Sequence, residues 1–119
     1  MVKRKFDGRK EGDTLLIDGP LRSGQRIEFD GNIVVKGDVN PGAEIIASGN
    51  ILIFGILRGM AQSGCLGDEN TTVSAFSLLP TQLRIGDHIS CPPQGYYGLG
   101  SDRPETARLK QGKVVIETV

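Results

Sequence analysis

Eight aliphatic residues stand six apart in this chain: Leu15, Leu21, Ile27, Ile33, Val39, Ile45, Ile51 and Leu57. A helix repeats its buried face about every 3.6 residues and a strand about every 2, so neither alone produces this interval. A second interval, three times as long, lies over the first. Gly19, Gly37 and Gly55 are 18 apart, as are Ile17, Val35 and Ile53, and Gly31-Asn32-Ile33 returns as Gly49-Asn50-Ile51. Six nested in 18 describes a triangular coil with three six-residue sides. Each turn stacks on the last as a parallel ladder, rising ~4.8 Å. The expected fold is all-β, a triangular parallel β-helix of about four coils of 18 residues.

Composition suits such a coil. Of 119 residues, 17 are glycine, twice the usual ~7 %, which a chain that turns a corner every few residues requires. Tryptophan is absent, so small branched side chains must fill a core of moderate size in one domain. Fourteen basic and fourteen acidic residues cancel, which argues against general nucleic-acid binding, where phosphate neutralisation dominates affinity. Two cysteines, Cys65 and Cys91, make no disulfide framework and fit a reduced, cytoplasmic protein. The apolar run near residues 51–57 is interrupted by Gly55 and too short to span a bilayer. Residues 1–10 hold five basic residues with no apolar stretch behind them, unlike a signal peptide.

Residues 1–12 read as a linker or flexible tail, and residues 13–119 as the β-helix domain. Lys3-Arg4-Lys5 and Arg9-Lys10 could lie against an anionic membrane or acidic partner, but a solvated terminus is the favoured reading. The first three coils fall at 13–30, 31–48 and 49–66. Strand alternation sends residues 15 and 17, 33 and 35, 51 and 53 inward, so Leu16, Val34 and Leu52 face out, with Phe54 at the next outward position. Solvent selects polar residues on such a face. An apolar stripe there implies burial against the chain's own C-terminal segment or a second copy. Arg26 is expected one rung from Glu44 as a cross-strand pair. At one corner of the coils a column reads Arg22, Asn40, Arg58, with the two arginines roughly 10 Å apart. Their repulsion calls for water or an acidic partner.

After Leu57 the six-residue rule breaks, and residues 64–70 read as a four-residue insertion. A shift of 22 then sets Val73 and Ala75 over Ile51 and Ile53, and Leu83 and Ile85 over Ala61 and Ser63. A fourth coil is expected over 71–88, with Pro80 at a turn. Residues 91–98 read as a loop. Residues 107–110 and 113–117 flank Gln111-Gly112 as a tight hairpin or capping strand, and solenoids need their ends covered.

Period-six coils also build hexapeptide acyltransferases and a class of carbonic anhydrase, which need histidine as base or metal ligand. The chain has one, His88. A three-histidine zinc site is therefore excluded, and Asp87-His88 with Cys91 makes only a partial set. Lys36 is followed by Gly37-Asp38, so no phosphate loop is present. No catalytic residue, metal ligand or cofactor is assigned. A binding surface is expected, with a hexapeptide-repeat acyltransferase-like enzyme and a self-assembling structural β-helix as alternatives.

Leu21-Arg22-Ser23-Gly24-Gln25-Arg26-Ile27, Gly37-Asp38-Val39-Asn40-Pro41-Gly42-Ala43-Glu44 and Gly55-Ile56-Leu57-Arg58-Gly59-Met60-Ala61 together resemble the C-terminal domain of the septum-site-determining MinC family. Arg103-Pro104-Glu105-Thr106-Ala107-Arg108-Leu109 and Gly112-Lys113-Val114-Val115-Ile116-Glu117 look similar to that family's end, so the resemblance covers residues 14 to 117. It implies a right-handed β-helix, consistent with the hand of parallel crossovers. It also implies a homodimer and a non-enzymatic role in cell division, through docking onto the membrane-associated ATPase MinD in its ATP-bound form. Recruitment from the cytoplasm to the inner face of the membrane would follow, with room for a further septal partner and none for nucleic acid. Arg22, Ser23, Gly24 and Gln25 match the family's MinD-binding motif, with Arg58 and Gly59 beside it, and Leu16, Val34, Leu52 and Phe54 are assigned to the dimer interface. Full-length members carry a separate N-terminal domain that antagonises FtsZ. This chain has no room for it, so direct FtsZ inhibition is not expected.

Overall fold

All the regular structure among the described residues is β-strand. The computed structural model describes residues 13–90 and 103–119, and of the first twelve only the backbone of β1 (Lys5–Phe6) and β2 (Arg9–Lys10), which pair antiparallel. One side of the coil stacks β3 (Thr14–Asp18), β5 (Asn32–Lys36), β7 (Ile51–Leu57) and β9 (Val73–Leu78) in parallel. A second stacks β4 (Arg26–Phe29), β6 (Glu44–Ala47), β8 (Met60–Ser63) and β10 (Gln82–Ile85). The third side is held by single bridges, Leu21 to Val39 and Val39 to Leu57. The parallel β-helix of about four coils is therefore borne out.

The six-residue rows are the core. Ile33, Val39, Ile45, Ile51 and Leu57 are fully buried, and the 18-residue partners Val35 and Ile53 lie between them. β-branched side chains suit this interior because each inward position sits directly over its equivalent one rung below. Corners between sides are closed by side-chain amides. Asn50 donates its backbone N–H to Asn32 Oδ1 at 2.8 Å, and Thr72 donates to Asn50 Oδ1 at 2.9 Å. The expected Arg26–Glu44 pair is present at 2.6 Å.

The break after Leu57 has two parts. Ile27 faces Ile45, 18 residues on, but Ile45 faces Ala61, 16 on, while Ile51 faces Val73, 22 on. Two residues are thus removed at the Arg58-Gly59 corner and six are added between Ser63 and Val73. Inside the added loop, Thr71 Oγ1 donates to the Asp68 carbonyl and lies 2.9 Å from Ser63 Oγ, so these buried hydroxyls satisfy one another.

The fourth coil ends sooner than the expected 71–88. Gly86, at φ 57°, reverses the chain, and β11 (His88–Ser90) returns antiparallel along β10. A left-handed conformation is open to glycine at little steric penalty, so the turn occurs there and His88 lies on the return strand. At the other sheet, β12 (Glu105–Lys110) joins β9 antiparallel and β13 (Lys113–Thr118) pairs with β12. Gln111 and Gly112, both at positive φ, make the tight turn between them. The C-terminal segment is therefore both hairpin and cap. It extends the six-stranded sheet at its edge. The loop read over residues 91–98 lies outside the described residues.

Candidate functional site

Where the chain leaves Leu21, it turns sharply at residues 22–25. Gln25 donates its N–H to the Arg22 carbonyl at 3.0 Å, and Gly24 has φ 88°. A closing bond with glycine at the third position is the signature of a type II turn. The next coil repeats it at residues 40–43, where Ala43 donates to the Asn40 carbonyl, Pro41 occupies the second position and Gly42 has φ 88°. The two turns lie one upon the other, tied by Gly24 N–H to the Gly42 carbonyl at 3.1 Å.

Arg22 and Arg58 are exposed, and half-buried Asn40 separates them in the column. Among the described residues neither guanidinium has an ion-pair partner. Ser23 and Gly24 are exposed, while Gln25 folds back so that its Oε1 accepts the Arg22 N–H at 2.6 Å. Gly59 is buried. A Cβ there would stand 2.4 Å from the Ala43 carbonyl oxygen and 2.7 Å from that of Asn40, so only glycine lets the shortened third coil pass beneath the turn above it. The six residues singled out in the sequence thus meet at one corner in three roles. Arg22, Ser23, Gly24 and Arg58 form its surface, Gln25 closes the turn and Gly59 supports it. What the sequence reading missed is the share of Asn40 and Gly42. Its signal was the Asn-Pro-Gly turn composition 18 residues after Arg-Ser-Gly.

Leu16, Val34 and Leu52 stack on consecutive rungs of the six-stranded sheet, facing outward. Leu16, Leu52 and Phe54 are 44%, 38% and 46% exposed, so the stripe is open and the C-terminal hairpin lies beside it. Phe76 joins them. Its ring meets Phe54 edge-on at 5.8 Å, and a hollow of ≈ 270 Å³ lies between these rings and Pro104, Thr106 and Val119. Phe76 falls after the insertion, opposite a β-bulge at Phe54-Gly55, which hid it from the 18-residue rule.

His88 Nε2 lies 2.9 Å from Glu69 Oε2, tying the return strand to the inserted loop. Among the described residues no group of three His, Cys, Asp or Glu could hold a metal ion, and Cys91 lies outside them. Burial, and then the charge of Glu28, push the Cys65 thiol above its ordinary pKa, which disfavours the reactive thiolate.

The model of the family described as septum formation inhibitor MinC, C-terminal domain, matches residues 15–119. A probable septum site-determining protein MinC from Heliobacterium modesticaldum is 49% identical over 104 residues, which is 87% of this chain and 36% of that protein. Its counterpart in Acetivibrio thermocellus is 47% identical over 112 residues, 94% of this chain and 49% of that protein. The chain thus spans between a third and a half of the length of these curated relatives. A chain of the MinC:MinD cell division protein complex from Aquifex aeolicus shares the fold with a TM-score of 0.85 at 36% identity, covering 90% of this chain and 87% of that one. The coils, the corner and the family match run over the same residues, and the chain belongs to the family of septum formation inhibitor MinC C-terminal domains.

Proposed function

We propose that this chain is a non-enzymatic adaptor of division-site placement that docks onto ATP-bound MinD at the Arg22/Arg58 corner and pairs with a second copy across its apolar stripe. The observation that carries the docking is the column of two exposed arginines, unpaired among the described residues, on a fold shared with a chain of a MinC:MinD complex. A guanidinium binds a carboxylate through two parallel hydrogen bonds, giving orientation as well as attraction. Two of them roughly 10 Å apart fit a partner that offers acidic groups at a matching interval. The exposed Ser23 hydroxyl adds a directional donor beside Arg22, and Gly24 allows the turn that presents it. Gln25 contributes through the amide that its turn-closing oxygen leaves outward, and Gly59 contributes by seating Arg58. Recruitment to the inner face of the membrane then occurs through MinD. Among the described residues no helix is long and apolar enough to cross a membrane.

Pull-down with MinD in ATP and in ADP tests the docking. Arg22→Ala and Arg58→Ala should each weaken binding by ~1–3 kcal/mol, as for removal of a charged hydrogen bond, and leave dimerisation and thermal unfolding unchanged. Parent-like binding by both variants would place the site elsewhere.

A further inference from the structure

We infer that Asn40 is a positioning residue of the docking corner, acting on the partner through Arg22, with Gly42 as the seat that allows it. This rests on the docking reading above. The Leu21 carbonyl and the Arg22 N–H belong to one peptide group, from which the Arg22 side chain springs. Its carbonyl accepts two bonds from Asn40, from the backbone N–H at 3.0 Å and from Nδ2 at 3.0 Å. Its N–H donates to Gln25 Oε1 at 2.6 Å. Three hydrogen bonds therefore hold a single peptide plane at the surface.

The backbone bond from Asn40 is the ladder bond that the fold needs. The bond from Nδ2 is additional to that ladder. A peptide pinned at both ends removes rotational freedom at the root of a long side chain, so less order must be imposed when the guanidinium meets its target. Asparagine also keeps a third cation out of the column, where it would stand ~4.8 Å from each arginine's rung.

Gly42 makes the geometry possible. A Cβ at that position would stand 2.4 Å from Ser23 Oγ and 3.0 Å from Ser23 Cβ, so a side chain would lift the upper turn off the lower one. The Gly24 N–H to Gly42 carbonyl bond would be strained in the same movement. The turn at 40–43 is thus the template on which the turn at 22–25 lies.

The test is a double-mutant cycle of affinity for MinD loaded with ATP, using the dimeric chain. Asn40→Ala is expected to weaken binding about fivefold, the effect of one ordinary hydrogen bond. In an Arg22→Ala background it should weaken binding no further, because groups acting as a unit are non-additive. The dependence of affinity on salt in Asn40→Ala should move toward that of Arg22→Ala, which a purely structural role would leave unmoved. Should Asn40→Ala fail to fold, Asn40→Ser replaces it, a small polar side chain too short to reach Leu21. Parent-like affinity for the Asn40 variant, or effects that multiply with those of Arg22→Ala, would overturn the inference while leaving the docking corner intact. An Arg22→Ala variant that binds normally would overturn this inference, and normal binding by Arg58→Ala as well would overturn the docking reading with it.

Discussion

Glu105 is 1% exposed although glutamate ordinarily faces water. It opens β12 opposite Ala75, on the face that carries Ala107 inward, and strand alternation leaves it no other direction. Its Oε1 accepts the N–H of fully buried Leu78 at 2.9 Å. The carboxyl thus supplies an acceptor where the ladder changes from parallel to antiparallel. Glu105→Ala should destabilise the domain by ~1–3 kcal/mol, the usual effect of orphaning a buried donor. Glu105→Gln keeps an oxygen there and should lose less. Urea unfolding at unchanged slope checks both, and an unaltered midpoint for Glu105→Ala would mean that Leu78 finds another acceptor.

At the scale of the element, the β12–β13 hairpin stands at the sheet edge and carries its own charge cluster. Glu117 lies 2.7 Å from Lys110 Nζ and 3.1 Å from Arg108 Nε. The hydrogen bond from Lys110, and then the charges of Lys110 and Arg108, hold the Glu117 carboxyl below its ordinary pKa. A carboxyl whose folded pKa lies below its unfolded one stabilises the fold above the unfolded value. That contribution disappears as pH falls through the lowered folded value. Glu117→Gln removes it at all pH, so the difference in Tm between parent and variant should be greatest near neutrality and close in acid. The cluster faces solvent, so the difference should be small and shrink with added salt. A difference that stays constant into acid would show that Glu117 acts by packing rather than charge.

For the whole molecule, the decisive property is that capping is unequal to covering. The C-terminal hairpin protects the edge of the six-stranded sheet, while Leu16, Val34, Leu52, Phe54 and Phe76 remain on its open face. A contiguous apolar face of this kind is suited to association, and under the proposed pairing a second copy presenting the same stripe would bury it symmetrically. Charging the centre, Val34→Glu, should give a folded monomer by light scattering, since an unpaired carboxylate would have to be buried in the interface. Persistence of a dimer would locate the contact on another face.

The coil itself was legible in the sequence because each side of a narrow triangular interior admits only a few inward residues, so burial prints its geometry directly as intervals of six and 18. The register after the insertion was legible for the same reason, since Val73, Ala75, Leu83 and Ile85 had to resume inward positions. Only the net shift can be read that way. That two residues were removed at Arg58-Gly59 and six added after Ser63 depended on which corner tolerates a shorter path, and the close approach of Gly59 to Asn40 and Ala43 decided it. The early reversal at Gly86, the alignment of Phe76 with Phe54, and the burial of Glu105 follow from contacts with other strands and carry no period of their own. The proposed docking corner divides in the same way. Arg22 and Arg58 were visible as a column, but the double grip of Asn40 on Leu21 and the return of Gln25 onto Arg22 exist only once one coil lies on another.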